Sequence, residues 1–232
     1  MKIALLGYGK MGKTIEKLAI EKGHEIVSRV SSTSENIDLS TADVAIEFSS
    51  PDVAVKHLKT AFAQNVPVVC GTTGWLEHYD EILNNCKSCN GSFIYASNFS
   101  VGVNIFFELN VQLAKMMTKH HQYLVSLEEI HHIQKKDAPS GTAITLAEGI
   151  IQNSKYSNWN MENASETEIP LTAKRVDDVK GTHSVTYASE IDTISIKHEA
   201  HSRDGFALGA ILAAEWLLGK KGVFTMKEVL DL

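Results

Sequence analysis

Residues 2–12 constrain this chain more than any other stretch. Lys2 to Leu6 is a short apolar run that breaks on Gly7-Tyr8-Gly9-Lys10-Met11-Gly12, after which Ile15, Leu18 and Ala19 recur at helical spacing and Gly23 closes the helix. Strand, glycine turn and helix in that order form the context that a dinucleotide fingerprint requires. Gly7 permits the tight turn, Gly9 lets the backbone approach a pyrophosphate, and Gly12 allows the helix to pack closely on the sheet, leaving the helix's positive end aimed at the phosphates.

Beyond it, His24 to Val30, Asp43 to Phe48, Pro67 to Gly71 and Ser92 to Ala96 are strand-like runs separated by helical patterns such as Val55, Leu58 and Phe62. That alternation predicts a parallel sheet with helices on both faces. Ligands bind beyond the carboxyl ends of the strands in such sheets. The informative loops are therefore Ser49-Ser50-Pro51, Gly71-Thr72-Thr73-Gly74 and Ala96-Ser97-Asn98-Phe99-Ser100. As plain structure these are polar turns, and Ser49 and Ser50 serve equally well as caps for the helix begun by Pro51. An adenosine ribose is expected roughly 20 residues after the glycines, at the end of the second strand. There Ser28-Arg29-Val30-Ser31-Ser32-Thr33 lacks an acid to take two ribose hydroxyls and repel a 2′-phosphate, while Arg29 and the three hydroxyls could accept one.

The 232 residues allow one large or two modest domains, and 44% hydrophobic with 22% charged residues is ordinary for a globular protein with a sizeable core. A formal charge of -6 gives no basic footprint for nucleic acid. A charged leader and an apolar run approaching the ~20 residues that span a bilayer are both missing, so the expectation is a cytoplasmic protein without a membrane partner. Cys70, Cys86 and Cys89 are odd in number and lack a second pair at zinc-ligand spacing, which reads as reduced bystander thiols and no metal.

The second constraining stretch is Glu129-Ile-His-His-Ile-Gln-Lys-Lys-Asp-Ala-Pro-Ser-Gly-Thr-Ala143. His131 and His132 exchange protons near neutral pH, Lys135 and Lys136 are cations, and Ser140-Gly141-Thr142 begins a helix whose first N–H groups suit an anion. Leu124 to Gln134 has strand character, so adjacent histidines face opposite ways unless one lies at the fraying end. Pro139 biases Ala138 away from helix, and Ser140 is a good N-cap for the apolar stripe Ala143, Leu146, Ala147, Ile150 and Ile151. The bland alternative for each feature is a capped helix after a strand with two solvated lysines. Their coincidence favours a proton donor beside a carboxylate trap.

The run His131-His132-x-x-Lys135-x-Asp137-Ala-Pro-Ser-Gly-Thr-Ala143 resembles the signature of the 4-hydroxy-tetrahydrodipicolinate (dihydrodipicolinate) reductases, a family of lysine and diaminopimelate synthesis. The resemblance implies that His131 is the general acid/base, that Lys135 is a second catalytic proton donor, and that His132, Gly141 and Thr142 bind the carboxylates of a small dicarboxylate substrate. It implies NADPH or NADH as cofactor, held by Gly7, Tyr8, Gly9, Lys10, Met11, Gly12, Ser31, Gly71, Thr72, Thr73, Ala96, Ser97, Asn98 and Phe99. Hydride would go to ring C4 of a conjugated imine, a proton from His131 or Lys135 would complete the reduction, water would leave, and domain closure would keep solvent out. Which of the two delivers the proton, and which cofactor is preferred, stay open at this level.

After Ser100 a helical run through Lys119 offers Phe106, Leu109, Leu113 and Met117 as its apolar side. Asn153 to Gly181 is polar and reads as a surface excursion with little core of its own. Thr182 to Ser189 and Asp192 to Ala200 resemble paired strands with Ile194, Ile196, His198 and Ala200 on one face. His183, His198 and His201 have no metal-spaced partner nearby and read as structural. Phe206 to Leu218 is an apolar helix, followed by a strand-like Val223-Phe-Thr225 and by Met226 to Leu230.

The expected fold is α/β, with an N-terminal Rossmann-type parallel-sheet domain over residues 1–102, completed by about 206–232, and a C-terminal α+β substrate and oligomerisation domain with an open mixed sheet over 103–205. The return of the last segment, the two hinge crossings and a homotetramer through the sheet of residues 182–200 rest on the resemblance. Another two-domain dehydrogenase of an amino-acid pathway shares the glycine fingerprint but gives no reason for the histidine and lysine signature. A non-catalytic NAD(H)-binding regulator need not retain His131 and Lys135 together.

Overall fold

The structure, a computed structural model, describes residues 1–31, 34 and 36–232. In chain order the elements are β1 (Lys2–Leu6), α1 (Lys10–Glu21), β2 (Glu25–Val30), β3 (Val44–Glu47), α2 (Pro51–Ala63), β4 (Val68–Cys70), α3 (Tyr79–Ser88) and β5 (Ser92–Tyr95). They continue with α4 (Val101–Met117), β6 (Leu124–His131), α5 (Gly141–Ile151), β7 (Asn158–Asn160), β8 (Glu168–Arg175), β9 (Thr182–Ala188), β10 (Thr193–Glu199), α6 (Asp204–Leu217), β11 (Gly222–Phe224) and α7 (Met226–Leu230). Two compact units result, Met1–Val101 with Asp204–Leu232, and Gly102–Arg203.

In the first unit a six-stranded sheet has the order β11-β5-β4-β3-β1-β2, with every pairing parallel. Parallel strands are covered on both faces and so read as continuous apolar runs, which is why β3 (Val-Ala-Ile-Glu) is buried at every position. On one face Ile15 and Ala19 of α1 and Ala207, Ala210, Ile211 and Ala214 of α6 pack on Ile3, Leu5 and Ile46. On the other, Leu58 and Phe62 of α2 and Ile82 of α3 pack on Ala4, Val68 and Phe93. Each fully buried Ile, Leu, Val or Phe among them contributes on the order of 1.5–3 kcal/mol. The small residues of α6 set its distance from the chain beneath: a Cβ on Gly209 would stand 1.7 Å from the Phe99 carbonyl oxygen.

The second unit is a five-stranded mixed sheet in the order β10-β9-β6-β8-β7, with β6 parallel to β8 and antiparallel to β9. Phe106 and Ala114 of α4 and Leu146, Ala147 and Ile150 of α5 cover Val125, Leu127, Ile169, Leu171, Val185 and Tyr187. The fold is thus α/β with a Rossmann-like parallel sheet and a second, mixed sheet.

Three sequence expectations change here. The buried stripe of α4 is Val103, Phe106, Asn110 and Ala114, while Leu109 is 53% exposed. Asn110 enters the core because its Nδ2 donates to the Leu146 carbonyl at 2.9 Å, and α5 offers only Gly149 against it. Residues 153–181 are no coreless excursion: they supply β7 and β8, and Ile169 and Leu171 alternate inward with exposures of 0% and 2%. Intervening polar residues hid that period of two. Finally, Ile194, Ile196 and His198 do share one face, opposite Tyr187, Val185 and His183, but it is the side that α4 and α5 pack on and not one left for a partner, Ile194 at its margin being 40% exposed. The open face instead carries Ser126, Glu128, Ser184, Thr186, Ser195 and Lys197, with Leu124 at its end.

Candidate active site

Alternation along β6 turns Val125, Leu127, Glu129 and His131 to the covered face. His131 closes the strand and is 8% exposed, whereas His132 lies just past the strand end, half-buried, its Nε2 3.5 Å from Arg203. Register brings the remaining groups in: His183 of β9 stands opposite Glu129, and Arg175 of β8 stands opposite His131. Glu129 Oε2 lies 3.6 Å from His183 Nε2 and 3.5 Å from His131 Nδ1, while its Oε1 accepts from Arg175 at 3.2 Å. The two imidazoles meet edge to face with centroids 5.0 Å apart. Gly181 leaves room for them, since a Cβ there would approach His131 Nε2 to 3.2 Å.

The expectation that His183 has no acidic or histidine partner is therefore overturned. It forms a buried group with Glu129 and His131 whose ligand atoms all lie within 4.8 Å of one another. That spacing alone would suit a cation, but the Glu129 carboxylate already accepts from the Ser140 N–H at 3.1 and 3.2 Å and from Arg175, and Lys135 adds positive charge nearby. The arrangement is that of a satisfied anion among proton carriers.

Burial opposes ionisation of Glu129, but hydrogen bonds from His183 and from Ser140, with the charge of His131, outweigh it and hold the carboxyl down at about 2. For His131 burial dominates; the charges of His183, Lys135 and Arg175 add to it against the attraction of Glu129, and the imidazole is pushed down to about 4. The ligand-free site at neutral pH thus holds a carboxylate and a neutral His131.

Ser140 caps α5 as expected, its Oγ accepting from Ala143 N at 3.2 Å and lying 3.2 Å from His183 Nε2. Gly141 and Thr142 form the first turn, the positive end of the helix, directly after this capped residue. Lys135 pairs with Asp137 at 2.9 Å, and the Arg175 guanidinium ties the loop by donating to the carbonyls of Lys135 and Asp137. His131, Lys135, Gly141 and Thr142 are thereby gathered around α5's start. Glu129, Arg175 and His183 join this cluster without having been assigned to it from the sequence; only Glu129 had a local signal, standing two residues before His131 on a strand.

On the first unit the glycines behave as their spacing suggests. Gly7 has φ +104° and a Cβ there would meet the Phe48 carbonyl oxygen at 2.1 Å; on Gly12 it would meet the Gly7 carbonyl oxygen at 2.3 Å; at Gly9 nothing stands within 4 Å. The chain is thus open to a ligand at Gly9. A crevice of about 410 Å³ runs from Gly9, Lys10 and Met11 to Phe48, Gly71, Thr72 and Thr73, and a second of the same volume joins Gly7, Tyr8 and Ser31 to Ser49 and Ser50. Thr72 organises the loop between them, its Oγ1 accepting from Ser49 N at 2.8 Å and its carbonyl from Trp75 Nε1 at 2.6 Å. Ala96, Ser97 and Asn98 follow β5 without lining either crevice; Asn98 Oδ1 accepts from Ser100 N at 2.9 Å. Phe99 is 1% exposed and packed on Phe48, so only its backbone is available to a ligand.

Arg29, offered by the sequence to a 2′-phosphate, is engaged within the first unit. Its Nε donates to Glu16 of α1 at 2.8 Å, a second guanidinium nitrogen makes a shorter contact to the same oxygen, and the Tyr8 hydroxyl donates to the other. Hydrogen bonds from Arg29, then Tyr8, hold the Glu16 carboxyl below its usual range. The strand end lacks an acid, but the helix supplies one. Ser32 and Thr33, read above as further acceptors for a phosphate, lie outside the described residues. Glu47, fully buried at the end of β3, also went unrecognised: it accepts from Ser49 Oγ, lies 3.2 Å from His57 Nδ1 and receives the Cys70 thiol at 3.3 Å. Burial and the Glu47 charge push that thiol well up, so Cys70 is inert.

Residues 1–99 match the family model for dihydrodipicolinate reductase, N-terminus, and residues 102–230 the one for its C-terminus. The 4-hydroxy-tetrahydrodipicolinate reductase of Christiangramia forsetii is 56% identical over 100% of this chain and 98% of its own length, and that of Thermosipho africanus 34% identical over 99% and 98%. In fold the chain is similar to a dipicolinate-bound dihydrodipicolinate reductase from a Paenisporosarcina species, with TM-score 0.74, 21% identity and 97% of each chain covered. Matched by both halves of the family's model and along its whole length by these relatives, the chain belongs to the dihydrodipicolinate reductase family.

Proposed function

We propose that the protein reduces 4-hydroxy-tetrahydrodipicolinate to tetrahydrodipicolinate with loss of water, using NADH or NADPH, in lysine and diaminopimelate synthesis. It is an oxidoreductase that uses a nicotinamide cofactor. The observation that carries the reading is the grouping of His131 and the start of α5 around one buried carboxylate, with the Lys135 charge acting on His131, in a chain of this family.

The cofactor, held along Gly7–Gly12, Ser31 and Gly71–Thr73, supplies hydride when bound. The N–H groups of Gly141 and Thr142, with Lys135 and His132, hold the substrate's carboxylates and so orient its ring. A bound dicarboxylate raises the proton affinity of neutral His131, which then carries the proton that completes reduction. Lys135, its side chain 22% exposed, is the second donor and a cation for the substrate's carboxylates. Oxidation of NADH and of NADPH, followed with substrate generated in situ by the preceding synthase, tests the reading; no turnover with either cofactor overturns it.

We further infer a homotetramer joined through the second unit's open sheet face. The support is the resemblance and the uncovered face, which is more polar than the sequence suggested. Sedimentation of dilute protein decides it, a stable monomer being the contrary result. As to surroundings, no helix among the described residues is long and apolar enough to cross a membrane.

A further inference from the structure

We propose that Glu129 is the positioning residue of this site: its carboxylate fixes His131, His183 and the start of α5 relative to one another, a role that rests on reading His131 as the proton donor.

A carboxylate that is 0% exposed is costly unless its lone pairs are engaged. Those of Glu129 are engaged by three other elements at once: Arg175 of β8 at 3.2 Å, His183 of β9 at 3.6 Å and the Ser140 N–H at the start of α5 at 3.1 Å. A purely structural link between strands and helix needs no net charge, and buried ion pairs are often replaced by neutral packing without loss. What the charge adds is its place beside His131. Among the described charged groups that act most on that imidazole, Arg175 from β8, His183 from β9 and Lys135 from the following loop oppose a proton on it, and Glu129 from its own strand favours one. Asp137 is taken up by Lys135. His131 Nδ1 is buried and has no hydrogen-bond partner, yet stands 3.5 Å from Glu129 Oε2. In the tautomer that carries the neutral ring's N–H there, the Glu129 carboxylate is the acceptor that faces it. Glu129 thus holds the ring ready without being protonated itself, leaving the other nitrogen for proton traffic.

The test compares Glu129→Gln and Glu129→Asp with His131→Gln in the full chain, reading kcat across pH. Glu129→Gln is expected to lower kcat by ~10²-fold while KM stays near wild type, and to move the alkaline limb of the kcat profile down by about 1–3 pH units, the shift a lost opposite charge at this distance produces. Glu129→Asp keeps the charge but withdraws it by one methylene, so its limb should fall between the two. Should Glu129→Gln fail to fold, the aspartate variant carries the test alone. A limb that stays at its wild-type pH while His131→Gln is inactive overturns this proposal and leaves the proton-donor reading standing. Wild-type kcat in His131→Gln overturns both.

Discussion

Glu129 and His183 are register partners on neighbouring antiparallel strands, and through that pairing a residue 54 positions further along the chain reaches 3.6 Å from the carboxylate beside His131. The same carboxylate receives Arg175 and the Ser140 N–H, so the proton-handling side chain rests on contacts from separate strands and a helix start. Its consequences are measurable.

The histidine and lysine should fail differently. His131→Gln removes proton transfer but keeps a hydrogen-bonding side chain, so kcat should fall ~10²–10⁴-fold with cofactor binding little changed. Lys135→Met removes a cation and a donor together, raising KM and lowering kcat. His132→Gln, past the strand end and near Arg203, should affect KM more than kcat. Equal losses of kcat in His131→Gln and His132→Gln would contradict a single acid.

Binding of a dicarboxylate should take up a proton. Free His131 titrates at about 4, and a bound dianion raises that value, so between the two the complex holds more protons than the free protein and affinity falls as pH rises. Calorimetry of dipicolinate binding at pH 6–7, in buffers of differing ionisation heat, should show uptake of up to one proton, absent in His131→Gln. Zero uptake in the wild type refutes the coupling.

Acid should destabilise the second unit in a defined window. The folded-state value of His131, about 4, lies below its unfolded value near 6.5, so the unfolded chain binds more protons between them and stability is lost as pH falls from 6.5 to 4, by at most about 3 kcal/mol. Glu129, also depressed, extends the loss below its ordinary range. In His131→Leu the slope of unfolding free energy against pH between 6.5 and 4 should flatten; an unchanged slope would locate the titration elsewhere.

Cofactor choice should respond to the pair on the first unit. NADPH is expected to be used at least as well as NADH, and Ser31→Asp to shift kcat/KM toward NADH by repelling a 2′-phosphate. Because Glu16 occupies Arg29, Glu16→Gln should release the guanidinium and lower the Kd ratio of NADPH to NADH several-fold, read by fluorescence titration. An unmoved ratio in both variants would place the ribose away from this strand end.

Gly9 and Gly12 should separate binding from folding. Gly9→Ala has open space for its Cβ and should fold normally while weakening cofactor binding, whereas Gly12→Ala drives a methyl to 2.3 Å of the Gly7 carbonyl and should lower Tm. Thermal melts with and without cofactor distinguish the two; equal loss of Tm would deny Gly9 a ligand-facing role.

Much of this molecule was legible from its residues because the signals were local. The glycine spacing of Gly7, Gly9 and Gly12, the alternation of apolar runs through Tyr95, and the capping of α5 by Ser140 each act within a few residues, through steric limits on φ, strand and helix periodicity, and one side-chain hydrogen bond. The sequence by itself therefore determined the α/β order of the first unit and the strand-loop-helix that carries His131, Lys135, Gly141 and Thr142. Tertiary structure alone decided that Asn110 enters a core, that Ile169 and Leu171 make an inner strand of a polar stretch, that Glu16 claims Arg29, and that His183 and Arg175 stand opposite Glu129 and His131. Those outcomes depend on the register between strands far apart in the chain, which is set by how whole faces pack and which buried charges find partners, and no local propensity encodes it.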